Sequence, residues 1–358
     1  MNTVKKNQHY IPKFYLRNFS YELNAKQIGI YNIKSSFFFQ TAKLKTQGSK
    51  DFFYGHDGVI ENNLANIENL LASEVREIIR TENVIQKDGI KYLNLLIFVG
   101  LTHVRNPVYI DFIKKTREKF IEKLDGHYGK INLNNAFPEI THEEVIKIAL
   151  SHCKDVVGNL FDLKYKLLIN RTKIPFITSD FPIVRQNQFL EKRKISHGKT
   201  GYGNIGLQIF IPLNPKITLV FYDSNIYKIG SRKITLDLTR KADIEKLNIL
   251  QILNCGEALF FNENISKSYI EYLISKSQGP MNTHKPLVKL HPNVKLIGID
   301  EEKGPSQKSS LLELKMVDSD VKLEIKGLKI LPKAKKIKIN KELIPLRKWP
   351  KKLRANSR

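Results

Sequence analysis

The 358-residue chain has little cysteine, no long apolar run and few acidic residues for its size. Two cysteines, Cys153 and Cys255, are too few for a disulfide framework or a zinc site of paired CxxC motifs, and they are typical of small buried side chains in a reducing compartment. The most apolar stretch, residues 93–101, is far shorter than the about 18 residues expected of a membrane span. No apolar signal segment follows Met1. We therefore expect a cytoplasmic protein that does not enter a membrane.

Several catalytic signatures are also missing. The chain has no GxxxxGK phosphate loop followed by Ser or Thr, no HExxH helix and no GxSxG nucleophile elbow. Residues 201–206 have the glycine spacing GxGxxG, but they precede a predicted strand instead of following one, so a dinucleotide site is not expected. Function must therefore be inferred from scattered residues.

Positive charge is the strongest bulk feature. Sixty Lys and Arg residues outnumber 35 Asp and Glu residues, which gives a net charge of +25. Such an excess attracts nucleic acid, although a lysine-rich proteome also produces basic proteins without that function. The last 78 residues hold 20 cations and 8 acids. Lys348 and Trp349 in the terminal tail are candidates for phosphate contact and base stacking, and the alternative is a solvated basic tail.

Apolar periodicity predicts a helical block at residues 58–163. An apolar stripe from Ile60 to Ile78 follows Asp57, a candidate N-cap. Further helices are predicted at 90–104 and 108–124, separated at Pro107, and a capping box at 141–144 opens a helix that runs to about residue 163. The stripe helix also places Glu61 and Glu68 about 10 Å apart on nearly one face. They are either a functional pair or two solvated charges.

Strand-like runs surround this block. They lie at 28–33, 36–44, 165–169, 176–178, 207–211, 217–222 and 258–261, and helices are predicted at 240–253 and 265–276. The runs at 165–169 and 176–178 are spaced like a hairpin. We therefore predict an α+β fold, with a mixed or antiparallel central sheet and the inserted helical block forming a main domain of residues 1–280. Residues 281–358 are predicted to form a small, basic, β-rich appendage that ends in the tail.

Three short stretches carry a family resemblance. Residues 8–19, QHYIPKFYLRNF, resemble the opening signature of the bacterial domain-of-unknown-function 4238 family, which is His-Tyr-(Ile/Val)-Pro, two residues, Tyr-Leu, a cation and Phe. Residues 176–182, FITSDFP, are similar to its Thr-Ser-Asp-x-Pro turn. Residues 211–215, IPLNP, are similar to its Pro-Leu-Ser-Pro turn, with Asn214 in place of Ser. The match spans roughly residues 7–275.

The resemblance implies a fold neighbourhood and candidate residues, but no established activity. It includes acidic residues in the stripe helix, which draws attention to Glu61 and Glu68. A loose association of such proteins with phage-defence loci favours nucleic-acid chemistry.

The candidate site residues combine one imidazole, two guanidiniums, two hydroxyl groups and carboxylates. His9 is a candidate proton donor and acceptor near neutral pH. Arg17 and Arg105 are candidate phosphate clamps, although a cation at a helix C-terminus also suits the helix dipole. Asp180 and Glu68 are candidate catalytic carboxylates that orient the histidine or hold Mg²⁺, and Asp180 is equally explained by turn chemistry. Candidate substrate-binding residues are Tyr15, Ser179, Lys348 and Trp349.

This mixture of groups suits an anionic substrate such as a phosphodiester. It predicts a nuclease-like hydrolase acting on RNA or DNA, of the kind used as a toxin or phage-defence effector. Two alternatives remain open. One is a non-catalytic nucleic-acid or partner-binding protein that uses its basic C-terminal tail, and the other is an enzyme acting on a small anionic metabolite.

Overall fold

The computed structural model describes residues 5–83, 89–128, 137–195, 197–277, 285–290, 312–316, 323–339 and 344–347. The helices are α1 (Lys13–Arg17), α2 (Val59–Thr81), α3 (Ile90–Val104), α4 (Pro107–Tyr128), α5 (His142–Ser151), α6 (Cys153–Leu160), α7 (Gln188–Glu191), α8 (Lys241–Asn254), α9 (Lys267–Lys276) and α10 (Pro332–Lys335). The strands are β1 (Asn7–His9), β2 (Gln27–Asn32), β3 (Phe37–Lys43), β4 (Ser49–Asp51), β5 (Lys164–Asn170), β6 (Thr178–Ser179), β7 (Val184–Gln186), β8 (Gln208–Asn214), β9 (Ile217–Tyr222), β10 (Tyr227–Ile229), β11 (Thr235–Leu238), β12 (Ala258–Phe261), β13 (Pro286–Leu290), β14 (Leu312–Met316) and β15 (Leu328–Ile330).

A five-stranded mixed sheet forms the centre of the protein. Its strand order is β11-β5-β9-β8-β7, with β11 parallel to β5 and the other pairs antiparallel. All six residues of β9 are buried, because this strand has neighbours on both edges and packed layers on both faces. Its sequence, ITLVFY, is rich in the β-branched and aromatic residues that such a position favours. The predicted α+β class is confirmed.

A second sheet is antiparallel and has the order β3-β2-β12-β6. The predicted hairpin between residues 165–169 and 176–178 is wrong, because β5 and β6 lie in different sheets. β5 pairs with β9, whereas the short strand β6 pairs with β12. The strands predicted for one central sheet are thus divided between two.

The helical block packs against the five-stranded sheet. α3 has the predicted bounds and is apolar nearly all round, and its Leu95, Phe98 and Val99 are fully buried in the main hydrophobic cluster. The capping box of Thr141 and Glu144 is formed. The single helix predicted to reach residue 163 is instead two, α5 and α6, with His152 between them.

The α2 N-terminus also differs slightly from prediction. Gly58 is its N-cap, with a left-handed φ of 71°. Asp57 lies one residue earlier, and its Oδ1 accepts the N–H of Val59 at 2.9 Å.

The described parts of the C-terminal region pack on the rest of the chain. β15 pairs antiparallel with β10, and β13 pairs with β14. Leu323, Ile325 and Leu328 join a hydrophobic cluster beneath the five-stranded sheet. Lys348 and Trp349 lie outside the described residues. No helix among the described residues is both long and apolar enough to cross a membrane.

Candidate functional site

The opening motif holds the loop that leads into α2. β1 pairs with β4, and the side chain of Gln8 donates to the carbonyl of Gly55 at 2.9 Å and accepts the N–H of Tyr54. The Tyr54 hydroxyl donates to the carbonyl of His9 at 3.1 Å. These buried bonds fix the start of α2, the helix that carries Glu61 and Glu68. Sequence reasoning did not assign Gln8 or Tyr54 to the site, although Gln8 directly precedes the recognised His-Tyr-Ile-Pro.

Arg105 is the most unusual residue of this region. It ends α3 as predicted and is only 1% exposed, and its Nη1 donates to Oε1 of Glu68 at 2.7 Å. Its Nε and Nη2 are buried, and neither has a hydrogen-bond partner in the described part of the chain. A buried, unsatisfied donor on a charged group is costly, and Arg105 has two such atoms.

A second buried arginine shows what this edge of a guanidinium can do. Arg347 uses the corresponding pair, Nε and Nη2, to hold the two carboxylate oxygens of Asp162 at 2.7 and 3.0 Å. This bidentate geometry suits carboxylate and phosphate alike. In Arg105 the same two atoms, Nε and Nη2, have no such partner among the described residues.

Glu61 and Glu68 give the cluster its negative charge. Burial opposes the charge of Arg105, but Tyr54, Glu68 and Glu61 together raise the pKa of Arg105, which stays a cation. Burial and the neighbouring Glu68 raise the pKa of Glu61, against the opposing effect of Arg105. The two glutamates are thus neighbours of one guanidinium rather than two independent surface charges.

His9 is buried beside this cluster, and the structure corrects its predicted titration. Burial and the charge of Lys13 lower the pKa of His9 to about 4, with a further contribution from Arg105, so the imidazole is neutral at pH 7. Its Nε2 lies 3.1 Å from the carbonyl oxygen of Lys45. Since a carbonyl only accepts, Nε2 carries the proton and Nδ1 keeps a lone pair. His9 can accept a proton but is not a cationic acid near neutral pH.

Asp180 lies on the other side of the turn that follows α3. The side chain of Asn106 donates to the backbone carbonyl of Asp180. The Asp180 carboxylate accepts the N–H groups of Gly256 and Glu257 at 2.7 Å each, and of Ala258 at 3.2 Å. Burial raises the pKa of Asp180, whereas these three bonds oppose that change. Its contacts therefore fasten the turn between α8 and β12.

Tyr15 and Ser179 are both in the core. Tyr15 is fully buried, and its hydroxyl bonds to Thr178 and to the carbonyl of Pro212. The Ser179 hydroxyl donates to Oε1 of Gln251 at 2.9 Å. The Tyr15 hydroxyl joins the family motifs to one another, whereas the Ser179 hydroxyl joins one of them to α8.

Arg17 is exposed at the last position of α1. No hydrogen bond or ion pair joins its guanidinium to His9, Glu68 or Arg105 among the described residues. The structure thus brings His9, Glu68 and Arg105 together with Glu61, places Asp180 beside them through its backbone, and leaves Arg17 at the surface.

The charges at this cluster do not favour a metal ion. Glu61 and Glu68 are oxygen donors of the kind that Mg²⁺ takes, but a cation bound there would meet the like charge of Arg105. Within the described ranges, no group of three or more His, Cys, Asp or Glu side chains is placed to hold a metal ion.

Comparison with known proteins identifies the family whose motifs these are. A family model described as protein of unknown function (DUF4238) matches residues 7–264. No curated protein and no solved structure matches significantly. The family match spans most of the chain and includes the motifs around Tyr15, Thr178 and Pro212, and the chain therefore belongs to the DUF4238 family.

Proposed function

We propose that this protein is a hydrolase that cleaves phosphodiester bonds of nucleic acid, with Arg105 at the centre of its site. The observation that carries the proposal is the unpartnered Nε and Nη2 edge of a fully buried guanidinium. A phosphate with two non-bridging oxygens matches that edge. The net charge of +25 supports a polyanionic substrate over a small neutral one.

Arg105 would bind the scissile phosphate and stabilise the charge that develops on it. Glu68 holds Nη1 of Arg105 and so orients the guanidinium, which makes Glu68 a positioning residue. Because Nε and Nη2 are out of contact with solvent, the phosphate reaches them only when a covering side chain moves aside. Burial of the bound phosphate then strengthens its attraction to Arg105.

Two groups can move protons in this site. Neutral His9 can accept a proton from the attacking water at Nδ1 as the new P–O bond forms. Glu61, whose pKa is raised, can donate a proton to the leaving oxygen as the old P–O bond breaks. Neutral His9 has the lone pair that a base needs, and burial and Glu68 favour the protonated form of Glu61 that an acid needs.

The remaining predicted residues have other parts in this proposal. The turn of residues 176–182 is held in place by Asp180, Ser179 and Tyr15. The polar side-chain atoms of these three residues are bonded inside the protein, so we assign them a positioning role. Arg17 is free to contact a substrate only at the surface. Roles for Lys348 and Trp349, dependence on Mg²⁺, and an effector role in phage defence stay predictions. The two free cysteines suit the cytoplasm, where we place the activity.

A non-catalytic binding protein is the second candidate function. The Arg105–Glu68 pair would then be a structural link between α3 and α2, and the basic surface alone would bind a partner. Incubation of the protein with labelled single- and double-stranded RNA and DNA separates the two functions. The proposal expects cleavage that Arg105→Lys slows at least about 100-fold, and binding without cleavage of any substrate would leave only the second function.

A further inference from the structure

The β10–β15 ribbon carries two like charges where they repel each other. Lys228 of β10 and Lys329 of β15 are direct partners in the antiparallel register, and both are exposed. Like charges directly opposite each other destabilise a strand pair. A negatively charged ligand would relieve this cost.

A groove of about 720 Å³ lies on the β10 side of the ribbon. Exposed Lys164, Lys228 and Arg232 line it together with buried Lys166, and no Asp or Glu is among its described lining residues. Lys166 donates to the carbonyls of residues 231 and 233, so it is held in place. Burial and the charges of Lys164 and Lys228 lower the pKa of Lys166, which shows how close together these cations lie.

A larger groove of about 1140 Å³ lies on the β15 side. Its exposed cations are Lys192, Lys329, Lys335, Lys336 and Lys338, and Glu324 is the single acid among its described lining residues. Ile325 and Leu328 give it an apolar floor.

Arg193 fixes the wall of this second groove. Its Nη2 donates to carbonyls at the end of α10, including those of Ala334 at 3.1 Å and Ile337 at 3.2 Å. Its guanidinium also stacks on Phe189 at 3.7 Å. The segment that carries Lys335, Lys336 and Lys338 is therefore held beside α7.

The two grooves beside the ribbon have a higher ratio of cations to acids than the chain as a whole. Eight exposed cations and one acid line the two grooves, whereas the whole chain has 60 cations and 35 acids. In the part of the chain that the structure describes, none of these eight side chains is in an ion pair. Their charge is available to a partner.

We propose that the β10–β15 ribbon and its two grooves are a docking surface for the phosphodiester backbone of nucleic acid. The identity of the polyanion rests on the proposed function. Flexible lysines on both sides of a narrow ribbon contact phosphates as point charges, without reading sequence. Each contact releases counterions, so binding depends steeply on salt.

The test compares two double variants that each remove two positive charges. Lys228→Ala/Lys329→Ala removes the opposed pair, and Lys147→Ala/Lys154→Ala removes two exposed lysines of α5 and α6. Binding of a labelled single-stranded DNA and its matched duplex is measured against salt concentration, in chelator. The ribbon variant should bind about 10-fold or more weakly at low salt, and its slope of log K against log salt should be smaller by between one and two. The control should keep the wild-type slope.

The proposal would be overturned if the two double variants had the same DNA affinity and the same salt dependence. It would also be overturned if the wild type bound vesicles of anionic lipid tightly but bound neither DNA. The ribbon variant should unfold at an unchanged or higher urea concentration, because a repulsion is removed, which separates weak binding from misfolding. If the wild type cleaves no nucleic acid while the ribbon variant binds DNA more weakly than both the wild type and the control, the docking surface stands and the proposed hydrolase fails.

Discussion

The hydroxyl oxygen of Tyr15 lies 2.7 Å from the hydroxyl oxygen of Thr178, in the core of the protein. Tyr15 also donates to the carbonyl of Pro212 at 2.7 Å. A tyrosine has one hydroxyl proton, so the Thr178 hydroxyl donates to Tyr15. Each of these residues belongs to a different one of the three stretches that resemble the family. Thr178 lies 163 positions after Tyr15 in the sequence, and Pro212 lies 197 positions after it. One buried phenol therefore joins all three motifs.

Tyr15→Phe should cost about 1–3 kcal/mol in the free energy of unfolding, because the Thr178 hydroxyl and the Pro212 carbonyl lose a buried partner. Urea unfolding measures this cost. Tyr272→Phe is the matched control, since Tyr272 is 42% exposed, and it should change the free energy by less than about 0.5 kcal/mol. Equal effects of the two substitutions would show that the hydroxyl does not link the motifs.

The helices could be predicted because their signals are local. The apolar stripe from Ile60 to Ile78 predicts α2. The proline at position 107 predicts the end of α3. Strand partners depend on residues far apart. Nothing near residue 178 indicates that β6 pairs with β12, some 80 residues later, rather than with β5.

The candidate site was predictable only in part. The sequence indicates that Arg105 ends a helix, but the direction of its guanidinium depends on how α2 packs across α3. The same packing places both Glu61 and Glu68 near Arg105. Helix geometry alone predicts only that the two glutamates lie about 10 Å apart on one face of α2. The low pKa of His9 comes from burial and from Lys13, and only the folded chain shows that burial.

His9 should make stability depend on pH. Its folded pKa of about 4 lies below its unfolded value near 6.5, so the unfolded chain binds the extra proton first as pH falls. Folding stability should therefore be complete above about pH 6.5 and fall by up to about 3 kcal/mol as pH drops to 4. Urea unfolding at several pH values measures it.

His9→Gln keeps a side-chain N–H for the Lys45 carbonyl but cannot titrate. Its stability should change less than that of the wild type between pH 6.5 and 4. His56→Gln is the control, because His56 is exposed, and it should follow the wild type. A His9→Gln variant as sensitive to acid as the wild type would show that another group is responsible.

Arg347 should couple the C-terminal region to the body of the protein. Its bidentate contact with Asp162 is nearly buried, with side chains 4% and 12% exposed. A double-mutant cycle of Arg347→Ala and Asp162→Ala, followed by urea unfolding, should give a coupling of about 1–3 kcal/mol. The exposed pair Lys34–Glu257 is the control, with a coupling below about 1 kcal/mol. Additive effects at Arg347 and Asp162 would contradict this anchoring role.

The most direct test of the central claim is cleavage of labelled single- and double-stranded RNA and DNA, with Mg²⁺ and with chelator, by the wild type and two variants. Arg105→Lys keeps the charge but loses the bidentate edge. Lys91→Ala breaks the exposed Lys91–Glu77 pair, which also links α3 to α2. We predict that the wild type and Lys91→Ala cleave at least one substrate and that Arg105→Lys, folded by circular dichroism, cleaves it at least about 100-fold more slowly. Full activity of Arg105→Lys, or no cleavage of any substrate by the wild type, would contradict the account.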